Sequence, residues 1–156
     1  MIRVVLTVLV AVALLAATTP ALEDARRSTT VERLDAEADR VERAVGDLVA
    51  GSVSVDDPAL AAQTTVTVRA PSGFDAAQVE RLVLVETAEG VAIRYRIDGR
   101  PERTIPIAPG GVAAAVAISG DETGGDRIVL RPGGESRLVL RLVDDGGPTV
   151  RIARIG

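Results

Sequence analysis

The side chains here that are able to do chemistry are carboxylates, hydroxyls, arginines and one phenol, Tyr95. The acids cluster at Asp56-Asp57, at Asp121-Glu122 with Asp126, and at Asp144-Asp145. Paired carboxyls serve glycoside hydrolysis, but only when set a fixed distance apart across a cleft. Each cluster instead sits beside Gly or Pro, where Asp is explained by hydrogen bonds to its own turn. The run Asp121-Glu122-Thr123-Gly124-Gly125-Asp126 has the composition of a loose Ca2+ loop without the ligand spacing of an EF-hand. Arginines share predicted strands with apolar residues in Arg94-Tyr95-Arg96-Ile97, between Arg137 and Arg141, and between Arg151 and Arg154, and some fall on alternate positions. Such a stripe suits an anionic glycan, polymer, lipid or phosphate, although most are solvated sheet faces.

The missing residue types exclude more than the present ones suggest. All 18 basic residues are arginine, and the chain has no Lys, His, Cys, Trp or Asn. That removes disulfides, zinc sites and haem ligands, and also Ser-His and Cys-His catalysis, Schiff bases and the P-loop lysine. The expectation is a non-enzymatic protein, with no catalytic, cofactor-binding or metal-ligating residue assigned. A net charge of −4 argues against nucleic acid as a partner. The 156 residues allow one domain, or a small domain with an appendage. An acidic, lysine-free chain rich in Ala, Val, Arg, Gly and Asp is the composition expected of a GC-rich halophile.

These residues must be positioned by three segments. Val4 to Leu22 is uncharged over 19 residues, the length of a membrane-spanning helix. Residues 1–22 are therefore expected to be a transmembrane anchor. Arg3 on the short leading side favours a cytoplasmic amino terminus, although Arg26 and Arg27 reduce the asymmetry. The competing reading is a signal peptide cut near Thr19-Pro20-Ala21, with Pro20 ending the helix. Both readings place the remainder outside the cytoplasm. Residues 23–50 are expected to form an amphipathic stalk helix. Val31, Leu34, Ala38, Val41, Val45 and Leu48 draw one apolar seam at helical spacing. Thr29 or Thr30 would cap its start if the chain breaks between Arg26 and Thr30, and Gly51 is placed to end it. The seam suits either packing on the following domain or self-association along Val31–Leu48.

Residues 52–156 change to period two. Strands are predicted at 63–69, 81–87, 91–98, 103–108, 112–119, 127–131, 136–143 and 149–155, with Gly or Pro in nearly every gap. The pattern predicts an antiparallel β-sandwich or small β-barrel, making the whole chain α+β, with one helical turn expected at Ala76–Arg81. Residues 105–125 and 128–147 both read strand, Pro-Gly-Gly, strand, acidic pair, Gly-Gly, which predicts two like hairpins.

The order of parts (apolar helix, interruption near Pro20, amphipathic continuation, carboxy-terminal β domain) resembles type IV pilin-like and pseudopilin-like proteins. With the lysine-free acidic composition, the chain is similar to small haloarchaeal membrane proteins of pilus-type assembly machinery. The resemblance implies a first helix bundled with neighbouring subunits and a β domain facing outward. Two departures from the pilin pattern stand out. Only Met1-Ile2-Arg3 precedes Val4, where pilin precursors carry a basic leader, and Val4–Leu22 lacks their early glutamate. The expectation is an anchored accessory protein of a surface assembly, with an exported binding module for an anionic polymer or Ca2+ as the alternative.

Overall fold

The structure is a computed structural model and describes residues 1–107, 113–119 and 126–155. One helix, α1 (Ile2–Gly51, 50 residues), takes up the first third of the chain. The expected break at Pro20 and the expected cap at Thr29 or Thr30 are both corrected, because α1 runs through all three positions. Pro20 removes one backbone donor from the helix interior. The hydroxyls nearby do not compete with the helix, since Thr18 and Thr19 both donate to the Leu15 carbonyl. Thr30 is not a cap either; its hydroxyl donates to the Arg26 carbonyl one turn back. The helix ends at Gly51, where Ser52 turns into extended backbone, as the glycine suggested.

The two halves of α1 differ completely in burial. Residues 1–25 are exposed throughout, whereas Leu34, Ala38, Val41, Val45 and Leu48 are buried among the side chains of the β domain. The seam is therefore used for packing on the following domain. Pairing two chains along Val31–Leu48 would require that face to be vacated.

Eight strands follow among the described residues: β1 (Ala62–Arg69), β2 (Val79–Thr87), β3 (Gly90–Ile97), β4 (Arg103–Ile107), β5 (Ala115–Ile118), β6 (Arg127–Val129), β7 (Glu135–Asp144) and β8 (Pro148–Ile155). They form two four-stranded sheets, in the orders β1-β7-β8-β5 and β4-β3-β2-β6. All pairs are antiparallel except β5 with β8, which run parallel. Alternation decides which side faces inward. Leu82 and Leu84 of β2, Tyr95 and Ile97 of β3, and Leu138, Leu140 and Leu142 of β7 fill the space between the sheets. The result is a β-sandwich with an aliphatic core and Tyr95 as its one aromatic ring. Helix α1 lies against β1 and β4, one edge strand from each sheet. It covers two edges that would otherwise offer unpaired backbone.

Two further expectations are corrected. Ala76–Arg81 is not a helical turn, since β2 already begins at Val79 and the backbone before it is a turn and bend. Nor are the two Pro-Gly-Gly units hairpins. β4 and β5 belong to different sheets, and so do β6 and β7, so both units cross from one sheet to the other. The Pro109-Gly110-Gly111 turn itself lies outside the described residues. The direct hairpins are β2–β3, β3–β4 and β7–β8. In β3–β4, Asp98 (φ 48°) and Gly99 (φ 66°) both have positive φ, and the Arg100 N–H closes the turn onto the Ile97 carbonyl. That is the type I′ geometry that Asp-Gly favours.

Candidate functional site at the junction of helix and β domain

The β domain is fastened to α1 by polar contacts as well as by the seam. The Thr30 hydroxyl, buried, accepts the Ala77 N–H at 2.8 Å, and the Glu37 carboxylate accepts the Arg69 N–H at 3.1 Å. Arg40, one turn further on, donates to both Glu37 oxygens at 2.7 and 2.8 Å, so the carboxylate is not left alone at the buried interface. Arg33 pairs with Asp75. Arg27 lies between Glu23 (3.3 Å), Asp24 (2.7 Å) and Asp98 of the β3–β4 turn (3.4 Å). Burial works against the Arg27 charge, but the hydrogen bond to Asp24 and the charges of Asp24 and Glu23 outweigh it, and its pKa is raised. These contacts set the loops 70–78 and 98–102 beside the first turns of α1 beyond Leu22.

Between α1 and the β3–β4 turn lies a groove of about 290 Å3. Asp24, Arg27, Ser28, Val31 and Glu32 form its helix wall, and Tyr95, Ile97, Arg100, Pro101 and Arg103 form its sheet wall. Burial raises the Tyr95 pKa, and the neighbouring Arg103 offsets part of that shift. No acid comes within ion-pair distance of Arg100 or Arg103 among the described residues.

The arginine runs divide between two outer faces. On one sheet, Arg81 lies opposite Arg96, and Glu102 bridges them at 3.2 and 3.4 Å. Beside them Val83, Val85 and Ala92 form a small buried patch on the outer face, flanked by Arg94 and Arg127. The cleft there, about 380 Å3, also has Glu86, Glu102 and Asp126 in its walls, so its charges largely balance. On the other sheet, Arg141 lies opposite Arg151. Asp145 holds Arg151 at 2.6 Å, while Arg141 turns to Gln63 at 3.2 Å. Arg154 departs from the stripe and donates to the Val129 carbonyl of β6.

Two of the carboxylate clusters are brought side by side, since Val55 bridges Val143 in parallel and its carbonyl accepts the Asp144 N–H at 3.0 Å, which sets Asp56-Asp57 next to Asp144-Asp145. Asp57 accepts the Ala59 N–H and Asp144 accepts the Gly147 N–H, each closing its own turn at 2.8 Å. Asp121 and Glu122 lie outside the described residues, as does most of the Ca2+-like run. Among the described residues no three acids are grouped to hold a metal ion. Thr30, Glu37, Arg33 and Arg27 carry the junction, and none stood out in the sequence for this role.

An exposed apolar helix, continuous with a second half that completes a β-sandwich core, defines a two-part α+β protein: one helix able to cross a membrane and one β domain. Over residues 1–155 the chain matches the family described as a domain of unknown function, DUF7311, and it belongs to that family. No curated protein and no solved structure matches it.

Proposed function

We propose that the protein is a non-enzymatic, single-pass membrane protein of the cell surface, serving as a structural or accessory component of a pilus-like or other surface assembly. The observation that carries this reading is the bare apolar half of α1. Its most apolar window has a mean hydropathy of 2.3 and is 0% buried. Nineteen residues rise about 28 Å as helix, close to the roughly 30 Å of a hydrocarbon core. The hydroxyls of this stretch suit lipid, because Thr7, Thr18 and Thr19 all donate to backbone carbonyls within the helix. With Arg3 on the cytoplasmic side, the β domain stands outside. The interruption near Pro20 is absent from α1, so the pilin-like, haloarchaeal reading rests on the order of apolar helix, amphipathic continuation and β domain and on the lysine-free acidic composition. Assembly contacts would then run between apolar halves, because the β domain occupies the seam.

The second reading is a binding module for an anionic glycan or polymer, which would have to engage Arg94 and Arg127 beside the Val83/Val85/Ala92 patch against the acids Glu86, Glu102 and Asp126 of the same cleft. It predicts polymer-dependent thermal stabilisation that Arg94→Gln with Arg127→Gln abolishes.

The anchor is tested by Leu9→Arg combined with Leu15→Arg. Each charge near mid-bilayer costs about 2.5–3.5 kcal/mol on insertion scales. The wild-type chain should stay in the membrane fraction after carbonate extraction and the double variant should not. A double variant that remains membrane-bound would reject the reading. The intact mass of the same wild-type material separates a retained anchor from a cleaved signal peptide.

A further inference from the structure

We propose that the groove between α1 and the β3–β4 turn is a binding site for the phosphate of an anionic lipid headgroup. The proposal rests on the membrane-anchored reading above. Height is the first argument. Arg27 lies five residues beyond Leu22, which is about 7.5 Å along the helix axis. The headgroup layers extend roughly 5–7 Å beyond the hydrocarbon on each side. Asp98 sits 3.4 Å from Arg27, so the turn carrying Arg100 opens at the level where the phosphates of that leaflet lie.

Charge is the second argument. Arg27 is already engaged by Glu23, Asp24 and Asp98. Arg100 and Arg103, on the opposite wall, meet no acid within ion-pair distance among the described residues. A guanidinium offers a planar fork of donors that matches two phosphate oxygens. The acids around the groove, Asp24 and Glu32 in its wall and Asp35 within electrostatic reach of Tyr95, are all on the helix, and the sheet wall stays cationic, with Arg103 also hydrogen-bonded to the Tyr95 hydroxyl. Composition is the third argument. Val31, Ile97, Pro101 and the Tyr95 ring give the groove an apolar floor, where the glycerol carbons of a lipid can rest. The groove's volume of about 290 Å3 is at the small end of ligand pockets, enough for a headgroup but not for a folded partner.

The test uses the full chain in phosphatidylcholine-containing micelles and reads the thermal unfolding midpoint. Short-chain phosphatidylglycerol should raise it saturably, and added phosphatidylcholine should not. Glycerol 3-phosphate, which offers the same phosphate without acyl chains, should match the shift only at far higher concentration. Arg100→Gln with Arg103→Gln should raise the phosphatidylglycerol concentration for half-maximal shift at least about tenfold, as expected for losing a charge-assisted hydrogen bond. Arg100→Gln alone, in an exposed turn, should move it the same way if the double variant does not fold. Arg131→Gln, on a different loop, should leave it unchanged. An unchanged response in Arg100→Gln, an equal response to phosphatidylcholine, or an equal response to glycerol 3-phosphate would each overturn the proposal. Flotation of the wild-type chain with pure phosphatidylcholine vesicles tests the anchor alone. Losing flotation sinks the anchor, whereas losing only the phosphatidylglycerol response sinks the lipid site.

Discussion

Thr30 and Glu37 are two polar residues on a helix face that otherwise buries only aliphatics, and they lie seven positions apart. An aliphatic seam tolerates sliding, because one Val or Leu replaces another along the axis. A hydroxyl that must meet the Ala77 N–H and a carboxylate that must meet the Arg69 N–H do not. They fix where along α1 the β domain sits. Thr30→Val keeps the shape but strands a buried N–H, which should destabilise the fold by about 1–3 kcal/mol. Urea unfolding of the detergent-solubilised chain checks this, and Thr30→Ser should recover most of the loss. The sequence singled out Thr30 for its hydroxyl but as a helix cap. The hydroxyl was the relevant group, yet its acceptor role depends on a backbone donor 47 residues away that no local pattern discloses.

Elements were legible wherever their own periodicity or punctuation marks them. All eight strands lie close to where period-two alternation and Gly/Pro boundaries placed them. The end of α1 at Gly51 was legible for the same reason. Partnership between elements was not. The repeated Pro-Gly-Gly units look like hairpins because turn chemistry reports a reversal and not which sheet receives the next strand. The helix break expected at Pro20 failed because proline's penalty is local, whereas the β domain holds the second half of α1 in place. The two halves should answer mutation differently. Leu34→Ala, at a fully buried position, should cost about 2–5 kcal/mol of unfolding free energy. Leu9→Ala, on the bare half, should change it by less than about 0.5 kcal/mol. The same urea titration reads both.

For the molecule as a whole, acid is the condition that loosens its surface straps. The Arg33 hydrogen bond, helped by local backbone hydrogen bonding and the Arg33 charge, holds the Asp75 pKa below the usual carboxylate range; Arg69 does the same for Glu135, by hydrogen bond first and then charge. A carboxyl whose folded pKa is depressed adds stability above its unfolded pKa of about 4 and loses it as pH falls through the folded value. Stability should therefore be level from neutral pH to about 5 and decline below about 4. The decline should be shallower in Arg33→Gln and at high salt, because both groups are solvent-exposed and screened. A pH series of thermal unfolding midpoints measures this.

The unbroken α1 also makes the protein a lever. The clamped part of the helix extends about 43 Å from Glu23 to Gly51, with no hinge between the bare half and the β domain. A tilt of roughly 20°, ordinary for a spanning helix, would then carry the far end of the β domain about 15 Å sideways. Whatever tips the apolar half in its bilayer is reported, undamped, at the outer tip of the molecule.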